Sequence, residues 1–418
     1  MERAKLIVKN FGPLKDIKIE VREMVTFIGA QASGKSTLAK LLSIFEDENF
    51  RRDDTITFEE ELKKYNMLSL LKENSIINYK KGKYSFYLEK NSCTKVNPRE
   101  ILKNQFVKKI KTSNSNEERN KSFRDLIIND LELNRNHKTL IIHEIIDRLN
   151  IFTNNELNFE SNGKIPISKY LNYYENLLIE YGVNVKFDSL YIPSERNFLH
   201  IIAENTLGLI NNNVQIPKHL LNSGQEYEKA IHTIKELPLS IIDKKIKYKR
   251  EGKSSYIYHN ETEKVDLLES ASGLQSVVPI LLLVEYSKLL KEKYNFNFVV
   301  EEPELNLYPK AQHELIKYLV KNCLFDRKNL ILTTHSPFVL ASINNLLLAF
   351  EKGKSKPHEV NKIIKKESWL DPKNFIAYEL KNGKAKLIMD DKLGQIKENM
   401  IDTVSDAFSD EFDKLLDL

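Results

Sequence analysis

Hydrophobic and polar residues alternate near the start of the chain. Residues 17–21 place an apolar side chain at every second position, and Leu6 and Val8 have the same spacing. Gly12-Pro13 lies between these stretches and marks a turn. A period of two is typical of strands with one buried face, and Gly-Pro pairs interrupt regular structure. The pattern therefore predicts two or three short strands over residues 5–28.

Strands and helices alternate in the second half of the chain. The pattern predicts a strand over 190–192, a hairpin over 244–259, a helix over 276–290, a strand over 295–300, a helix over 310–321 and a strand over 329–334. This alternation favours a layered α/β core with a mainly parallel sheet.

The middle of the chain differs in character. Residues 47–185 are rich in Lys, Asn, Glu and Leu, and they contain a predicted hairpin over 79–88, a polar loop over 112–121 and helical stretches over 124–149 and 170–181. We interpret this region as a mostly helical insertion in a nucleotide-binding domain split between 1–46 and 186–350.

A C-terminal extension, 351–418, completes the predicted domain organisation, with short strands and a terminal amphipathic helix over 396–418. The apolar stripe of this helix consists of Ile401, Val404, Phe408, Phe412 and Leu415. The rest of the helix is acidic. We expect the stripe to dock on the helix's own domain.

Composition excludes several classes of protein. The chain has 418 residues, 41% of them hydrophobic and 29% charged, which is typical of a folded globular protein. No apolar run approaches the ~18 residues of a membrane span, and the N-terminus lacks a signal-peptide pattern. Cys93 and Cys323 provide neither a disulfide framework nor metal-ligand spacing. We therefore expect a cytoplasmic protein without a membrane partner.

A phosphate-binding loop follows the apolar run at 24–28. Residues 29–36 fit the pattern G-x-x-x-x-G-K-S, and apolar residues at helical spacing follow over 36–45. Glycines let the backbone N–H groups face phosphate oxygens, a lysine neutralises phosphate charge, and a serine at the helix start can ligate Mg²⁺. The pattern predicts a nucleoside triphosphate with Mg²⁺, and the candidate binding residues here are Gly29, Ser33, Gly34, Lys35, Ser36 and Thr37. The family resemblance described below implies that the nucleotide is ATP.

Three further motifs fit the same chemistry. An apolar strand ends in Glu301 and Glu302, where one carboxylate can hold Mg²⁺ and the other can polarise water. His335 follows the next predicted strand and can contact a γ-phosphate or a catalytic water. Ser272-Gly273-Leu274-Gln275 opens a helix, whose N-terminus can bind an anion.

The order of these motifs resembles the ABC-type ATPases of the SMC, RecF and OLD group. It is most similar to the OLD-like ATPases of bacterial anti-phage defence systems, such as the Septu and PARIS ATPase subunits. Residues 10–16 and 191–196 also look like that group, and the resemblance covers about residues 1–45 and 185–350. It implies an α/β fold, namely an ABC-type P-loop ATPase head with a mainly parallel sheet, flanking helices, an antiparallel β-lobe and a helical insertion.

The resemblance also implies roles for single residues. Lys35 and Ser36 would bind phosphate and Mg²⁺, with Glu301 as the Walker B metal ligand. Glu302 would be the catalytic carboxylate and His335 the switch histidine. The signature residues Ser272 and Gly273 would contact a γ-phosphate bound to the opposite subunit, in a head-to-tail dimer, and Gln275 would be a further nucleotide-binding residue. Asn306 would lie in the loop that crosses this interface.

Three features depart from the family pattern. Walker B usually carries Asp where this chain has Glu301, and transporters carry a second glycine where it has Leu274. The glutamine loop has no clear position, and Gln105 is a candidate for it.

The resemblance implies an ATP-driven switch that assembles as a dimer or larger homo-oligomer and controls a separate effector protein, a nuclease or toxin. An SMC- or RecF-like repair ATPase and a scaffold with structural ATP are the alternatives. Basic clusters at 245–253 and 103–111 leave DNA open as a partner, although a solvated face explains them equally well. Asp390-Asp391, His137 and His143 lack the companions of a second catalytic centre.

Overall fold

The computed structural model describes residues 3–96 except 54, 83 and 91, and residues 186–417 except 212, 213, 291–293, 325–328 and 391. Between these two ranges it describes residues 147, 148, 151 and 173. The helices predicted over 124–149 and 170–181 therefore lie almost entirely outside the described residues. The loop at 112–121, Gln105, the 103–111 cluster, His137 and His143 lie outside them as well.

The strands among the described residues are β1 (Ala4–Phe11), β2 (Leu14–Val21), β3 (Met24–Gly29), β4 (Ile76–Lys81), β5 (Tyr84–Glu89), β6 (Ser92–Val96), β7 (Lys186–Ile192), β8 (Glu236–Pro238), β9 (Lys247–Glu251), β10 (Ser254–Tyr258), β11 (Lys264–Asp266), β12 (Tyr294–Glu301), β13 (Leu330–Thr334), β14 (Phe375–Lys381) and β15 (Lys384–Leu387).

The α-helices of the same part of the chain are α1 (Lys35–Glu46), α2 (Glu48–Arg52), α3 (Phe58–Lys64), α4 (Leu199–Asn211), α5 (Lys218–Thr233), α6 (Ser272–Leu289), α7 (Pro309–Cys323), α8 (Pro337–Gly353), α9 (Pro357–Ile363) and α10 (Met400–Leu416). Short 3₁₀ turns cover Leu68–Leu70, Arg196–Phe198, Leu267–Glu269, Lys366–Ser368 and Pro372–Asn374.

One mixed sheet of eleven described strands forms the centre of the fold, in the order β6-β5-β4-β1-β2-β15-β14-β3-β13-β12-β7. The five strands from β14 to β7 are parallel. The five from β6 to β2 are antiparallel to their neighbours. The structure thus has the expected α/β P-loop head, and its antiparallel lobe continues the parallel sheet rather than forming a separate layer.

The strand that carries the P-loop lies in the middle of the parallel part. β3 and β13 are buried at every position, because helices cover both faces of a parallel sheet. α1 packs against β3, β7, β12 and β13. Since β3, β12 and β13 are parallel, their carboxyl ends meet at one edge, which is where ligands bind in open α/β sheets.

The short strands predicted in 351–418 belong to this main sheet. β14 pairs with β3 in parallel, with Leu380 opposite Gly29, and β15 continues from β14 towards β2. The predicted hairpin at 79–88 is formed by β4 and β5, which extend the other end of the sheet. Strands from both flanking segments therefore contribute to the sheet that holds the P-loop.

A second sheet contains the predicted hairpin at 244–259. Its order is β11-β10-β9-β8, and β9 and β10 turn at Gly252, whose φ of 59° lies in the left-handed region. Lys247 and Lys249 on β9 each lie 3.3 Å from Glu236 on β8. These ion pairs offset the positive charge of the strand, which favours the solvated-face interpretation of this cluster.

The prediction that α10 docks on its own domain is wrong. Asn399 and Asp402 cap the start of the helix, and Met400 N donates to the Glu379 carboxylate at 2.8 Å. Beyond this anchor the apolar stripe is exposed, with Phe408 and Phe412 more than 60% accessible. The amphipathic pattern correctly indicated an apolar face but does not say what covers it.

No helix within the described ranges combines the length and the apolar character that crossing a membrane requires.

Candidate functional site

The P-loop adopts a backbone that requires its glycines. Gly34 has φ of 98°, and an added Cβ would lie 2.6 Å from Leu14 Cδ2. At Gly29 an added Cβ would lie 2.6 Å from the Leu380 carbonyl oxygen. Non-glycine residues rarely adopt such positive φ values, so both positions combine strain with a steric clash. The loop therefore reaches the start of α1 only with glycine at 29 and 34.

Lys35 lies buried inside this loop. Its Nζ donates hydrogen bonds to the carbonyl oxygens of Gly29, at 2.9 Å, and Ala30, at 3.1 Å. Burial lowers the pKa of Lys35, and the negative charges of Glu302, Glu304 and Glu301 oppose that shift. Two neutral carbonyl oxygens thus hold the ammonium group of the lysine at a position where the charged oxygens of an anion can replace them.

The remaining predicted P-loop residues surround this lysine. Ser33 Oγ is buried and has no hydrogen-bond partner among the described residues, while Ser36 is exposed and Thr37 half-buried in the first turn of α1. A buried hydroxyl without a partner is uncommon in folded proteins. The unpartnered Ser33 and the exposed Ser36 match a loop that binds a ligand through hydroxyl groups.

Glu301 ends β12 and is almost completely buried. Burial raises its pKa, and Lys40, Tyr191 and Ser36 oppose the rise. Its Oε1 has no hydrogen-bond partner in the part of the chain that the structure describes. A buried carboxylate oxygen without a partner beside a serine at a helix start matches the oxygen ligands of Mg²⁺. The longer arm of Glu301, compared with Asp, is therefore compatible with a metal site.

No group of three or more His, Cys, Asp or Glu side chains at metal-binding distances occurs in the described ranges. Mg²⁺ is commonly held by one or two protein oxygens together with substrate phosphates and water. The pair formed by Ser36 and Glu301 fits that mode of binding and does not fit an all-protein metal cage.

Glu302 and His335 lie together, as the positions of the two motifs predict. His335 Nε2 is 3.2 Å from Glu302 Oε1, and both side chains are partly exposed. The Glu302 backbone is left-handed, with φ of 43°, and its N–H donates to the Thr333 carbonyl oxygen at 2.9 Å. A non-glycine residue in this region is strained and is held by its surroundings, which is frequent at active sites.

Glu304 has a role that the sequence did not reveal. Its Oε1 accepts hydrogen bonds from Thr334 Oγ1, at 2.7 Å, and from the His335 backbone N–H, at 2.8 Å. Burial raises the pKa of Glu304, and these two hydrogen bonds oppose the rise. The side chain thus ties the turn that carries His335 to the turn that carries Glu302. Its position within the Glu-Glu-Pro-Glu run was the available signal.

Arg196 is the second residue whose role was missed. It is fully buried, and its guanidinium donates to backbone carbonyl oxygens of the turn after β7, the helix α6 and the turn after β12. Burial lowers its pKa to about 10, opposed mainly by the charges of Glu304, Glu302 and Glu301. The arginine therefore remains protonated at neutral pH. Its place in residues 191–196, which look like the ABC-type ATPase group, was the available sequence signal for its importance.

The signature turn lies against the loop that follows the carboxylates. Ser272 is exposed at the start of α6, and a Cβ at Gly273 would lie 2.7 Å from the Asn306 carbonyl oxygen. No hydrogen bond or ion pair joins Ser272 or Gly273 to residues 29–37 in the described part of one chain. Within the described part of one chain, no polar contact therefore joins the signature turn to the P-loop.

Gln275 is engaged within its own turn. Its Nε2 donates to the carbonyl oxygens of Leu268 and Ser270, both at 2.8 Å. These bonds fix the loop that leads into α6. The geometry supports a structural contribution for this side chain, and its assignment as a nucleotide contact stays a prediction.

A family described as "AAA ATPase domain" matches residues 1–340 of the chain. Solved structures with similarity to it include the SMC head domain from Thermotoga maritima, at 11% identity over 93% of this chain and 98% of that chain, with a TM-score of 0.37. The Smc head domain from Pyrococcus furiosus is 11% identical over 93% of this chain and 96% of that chain, with a TM-score of 0.34.

The recombination mediator protein RecF, in the structure described as RecF-ATPrS, is 14% identical over 93% of this chain and 99% of that chain, with a TM-score of 0.33. No curated protein matches the sequence.

Proposed function

This chain belongs to the AAA ATPase domain family, and we propose that it binds and hydrolyses ATP at the edge of the sheet where β3, β12 and β13 end. The observation that carries the proposal is the contact between Glu302 and His335, at 3.2 Å, beside a P-loop lysine whose pKa responds to the Glu302 charge. A paired carboxylate and imidazole next to a phosphate-binding loop is suited to positioning a water for phosphoryl transfer.

Binding of the triphosphate uses the loop and the start of α1. Backbone N–H groups at a helix N-terminus attract anions, and Lys35 can exchange its two carbonyl acceptors, Gly29 and Ala30, for charged phosphate oxygens. The exchange is favourable because an ammonium group forms a stronger hydrogen bond with an ionised phosphate oxygen than with a neutral carbonyl oxygen. Ser33, with its unpartnered hydroxyl, is a further ligand to the phosphates.

Ser36 and Glu301 would hold Mg²⁺ in this site. The ion supplies charge neutralisation for the phosphate oxygens when it is bound. Glu301 remains a buried carboxylate without a partner for Oε1, and the ionised form that a metal needs is favoured by Lys40 and Ser36 nearby.

Glu302 is the candidate general base. It can accept a proton from the attacking water, and His335 can orient that water or contact the transferred phosphoryl group. Glu304 fixes the His335 backbone through its 2.8 Å hydrogen bond, so the imidazole is presented from a rigid turn. These roles assign proton transfer to Glu302 and positioning to His335 and Glu304.

A second copy of the chain would complete the site. Ser272 is exposed, and the signature turn makes no polar contact with the P-loop of the same described chain. The resemblance to ABC-type ATPases supports a head-to-tail dimer, or a larger assembly of this kind, in which Ser272 and Gly273 contact the γ-phosphate bound to the other copy. ATP would then stabilise the assembly, and hydrolysis would release it.

We assign this switch to the cytoplasm as the regulatory subunit of an anti-phage defence system with a separate nuclease or toxin. The motif order carries this assignment. An SMC- or RecF-like repair ATPase is the alternative. Duplex binding that is stimulated by ATP, with no toxic neighbouring gene product, distinguishes that alternative from the defence role.

The substitution Glu302→Gln tests hydrolysis directly. We expect turnover to fall by about 10²–10⁴, the usual contribution of a general base, because the amide cannot accept the proton. Binding of ATP should persist, and an ATP-bound dimer should accumulate in light-scattering measurements. Glu314→Gln is the matched control, since Glu314 lies on α7 and pairs with Lys317. Unchanged turnover in Glu302→Gln would contradict the proposed chemistry.

A further inference from the structure

Arg196 joins three separate elements through a single side chain. Its Nε donates to the Ser276 carbonyl oxygen of α6 at 3.0 Å. One terminal nitrogen donates to the Glu301 carbonyl oxygen at 2.8 Å and to that of Pro193 at 3.3 Å. The other donates to the Glu302 carbonyl oxygen at 2.8 Å and to that of Pro303 at 3.5 Å. We propose that Arg196 is a positioning residue that couples the signature helix to the Glu302 carboxylate.

The acceptors explain why an arginine occupies this position. They are backbone carbonyl oxygens in three directions, and a planar guanidinium presents five donors in a fixed fork. A lysine has one compact ammonium group and cannot reach α6 and the turn after β12 together with the same geometry. The contact is therefore specific to the guanidinium and not only to its positive charge.

The choice of carbonyl acceptors also leaves the carboxylates free for chemistry. Arg196 forms no ion pair among the described residues, although Glu195, Glu301, Glu302 and Glu304 all act on its charge. A carboxylate bound by a bidentate arginine would lose basicity and lone pairs needed elsewhere. Arg196 instead holds the backbone that carries Glu301 and Glu302 and leaves their oxygens to the metal and to water.

A second contact connects the same two elements. The absent side chain of Gly273 lets α6 lie directly against the Asn306 carbonyl oxygen, 2.7 Å from where a Cβ would be. Arg196 and Gly273 thus attach α6 to both ends of the segment from Glu301 to Asn306. The strained backbone of Glu302, with φ of 43°, lies between these two attachments.

This arrangement gives the signature a physical route to the base. A shift of the N-terminus of α6 moves the Ser276 carbonyl oxygen, and the guanidinium transmits the shift to the Glu301 and Glu302 backbone. The coupling rests on the proposed function, in which Ser272 and Gly273 bind phosphate held by another copy. Engagement of a second copy would then align Glu302, so that hydrolysis occurs chiefly in the assembled state.

Steady-state kinetics of Arg196→Lys on the full chain test this role. We expect kcat to fall at least tenfold with KM for ATP within threefold, because Lys35 and the loop bind nucleotide independently of the Glu302 alignment. Arg250→Lys is the matched control: Arg250 is also buried, but it pairs with Glu204 at 2.5 Å and touches none of these turns. It should leave kcat within twofold.

A double-mutant cycle separates positioning from general damage. In the Glu302→Gln background, Arg196→Lys should lower kcat by less than a further factor of two, because the carboxylate that Arg196 aligns is already absent. A further loss as large as that in the wild-type background would overturn the proposal, as would a kcat unchanged by Arg196→Lys. A Glu302→Gln variant with normal turnover would instead reject the proposed general base, which is a distinct result.

Hydrogen exchange provides a test that needs no arginine substitution. In Glu302→Gln with Mg-ATP, peptides covering 193–198, 272–280 and 301–306 should gain protection together, whereas 247–258 should not change. Protection of 301–306 without any change in 193–198 and 272–280 would refute the coupling, even if Arg196→Lys does not fold.

Discussion

His219 is a single residue whose environment makes stability depend on pH. Its ring is buried between Tyr65 and Tyr191, and Nδ1 lies 3.3 Å from the Lys64 carbonyl oxygen, so this nitrogen carries the proton. Burial, assisted by the positive charge of Lys40, lowers the pKa of His219 to about 4. Below the ordinary pKa near 6.5 the unfolded chain binds a proton that the folded chain does not.

The free energy of unfolding should therefore fall as the pH decreases from 6.5 to 4, by about 2 kcal/mol from this group after allowance for solvent screening. Above pH 6.5 the group contributes no pH dependence. Denaturant unfolding at several pH values measures the slope, which His219→Gln should reduce. His232→Gln is the control, because His232 lies exposed on the same helix, α5. An equal slope in wild type and His219→Gln would contradict the expectation.

Residue types and spacing were sufficient to place Glu302 beside His335, because each follows a strand whose carboxyl end meets the other at one sheet edge. Arg196 could not be found in this way. Apart from the nearby Pro193, its partners lie 80 to 107 positions further along the chain. Moreover, they are backbone carbonyl oxygens, which every residue possesses, so no residue type marks them in the sequence.

At the scale of elements, Gly353 at the end of α8 shows packing that opposes helix propensity. An added Cβ would lie 2.2 Å from the Trp369 ring, whose Nε1 donates to the Ile364 carbonyl oxygen at 2.8 Å. Alanine is favoured over glycine in helices by about 1 kcal/mol, whereas overpacking costs about 1–3 kcal/mol. Because the ring is tethered, the clash should exceed the propensity gain.

We expect Gly353→Ala to lower the free energy of unfolding by about 1–2 kcal/mol. Gly208→Ala in α4 is the matched comparison, since an added Cβ there meets nothing within 4 Å. That substitution should raise the free energy of unfolding by up to about 1 kcal/mol through helix propensity alone. Chemical denaturation of both variants checks the opposite signs, and a stabilised Gly353→Ala would show that Trp369 moves aside.

The spacing of apolar residues predicted which segments form strands and helices, but it did not predict which strands pair with each other. The strand at 24–28 and the helix at 36–45 were evident from apolar spacing. The partner of β3 from the C-terminal segment, β14, was not, because nothing in 375–381 identifies which strand it joins. Pairing between distant strands is decided by the packing of the whole sheet, which local pattern does not contain.

At the scale of the whole molecule, α10 extends from the body without a partner surface in the described chain. Phe408 is 67% and Phe412 62% exposed. Replacing both with serine should change the free energy of unfolding of the monomer by less than about 0.5 kcal/mol per residue, as for other surface positions. Phe45→Ser is the contrasting variant, because Phe45 is fully buried in a cluster with Phe58, Tyr79 and Phe86.

Unfolding measured at low protein concentration tests this expectation, since it excludes stabilisation by association. Phe45→Ser should lower the free energy of unfolding by at least about 3 kcal/mol, because it removes buried apolar surface and leaves a cavity. A loss of similar size in the Phe408→Ser, Phe412→Ser double variant would mean that the stripe is covered within one chain after all.

The position of β3 between β13 and β14 has a consequence for biosynthesis. The P-loop strand is synthesised well before its two sheet neighbours, which end at residues 334 and 381. A nascent chain shorter than this holds the loop sequence without the strands that support it, and pairings over such separations form late. The ability to capture nucleotide should therefore arise only after residue 381 has left the ribosome, so that a shorter nascent chain does not act as a switch.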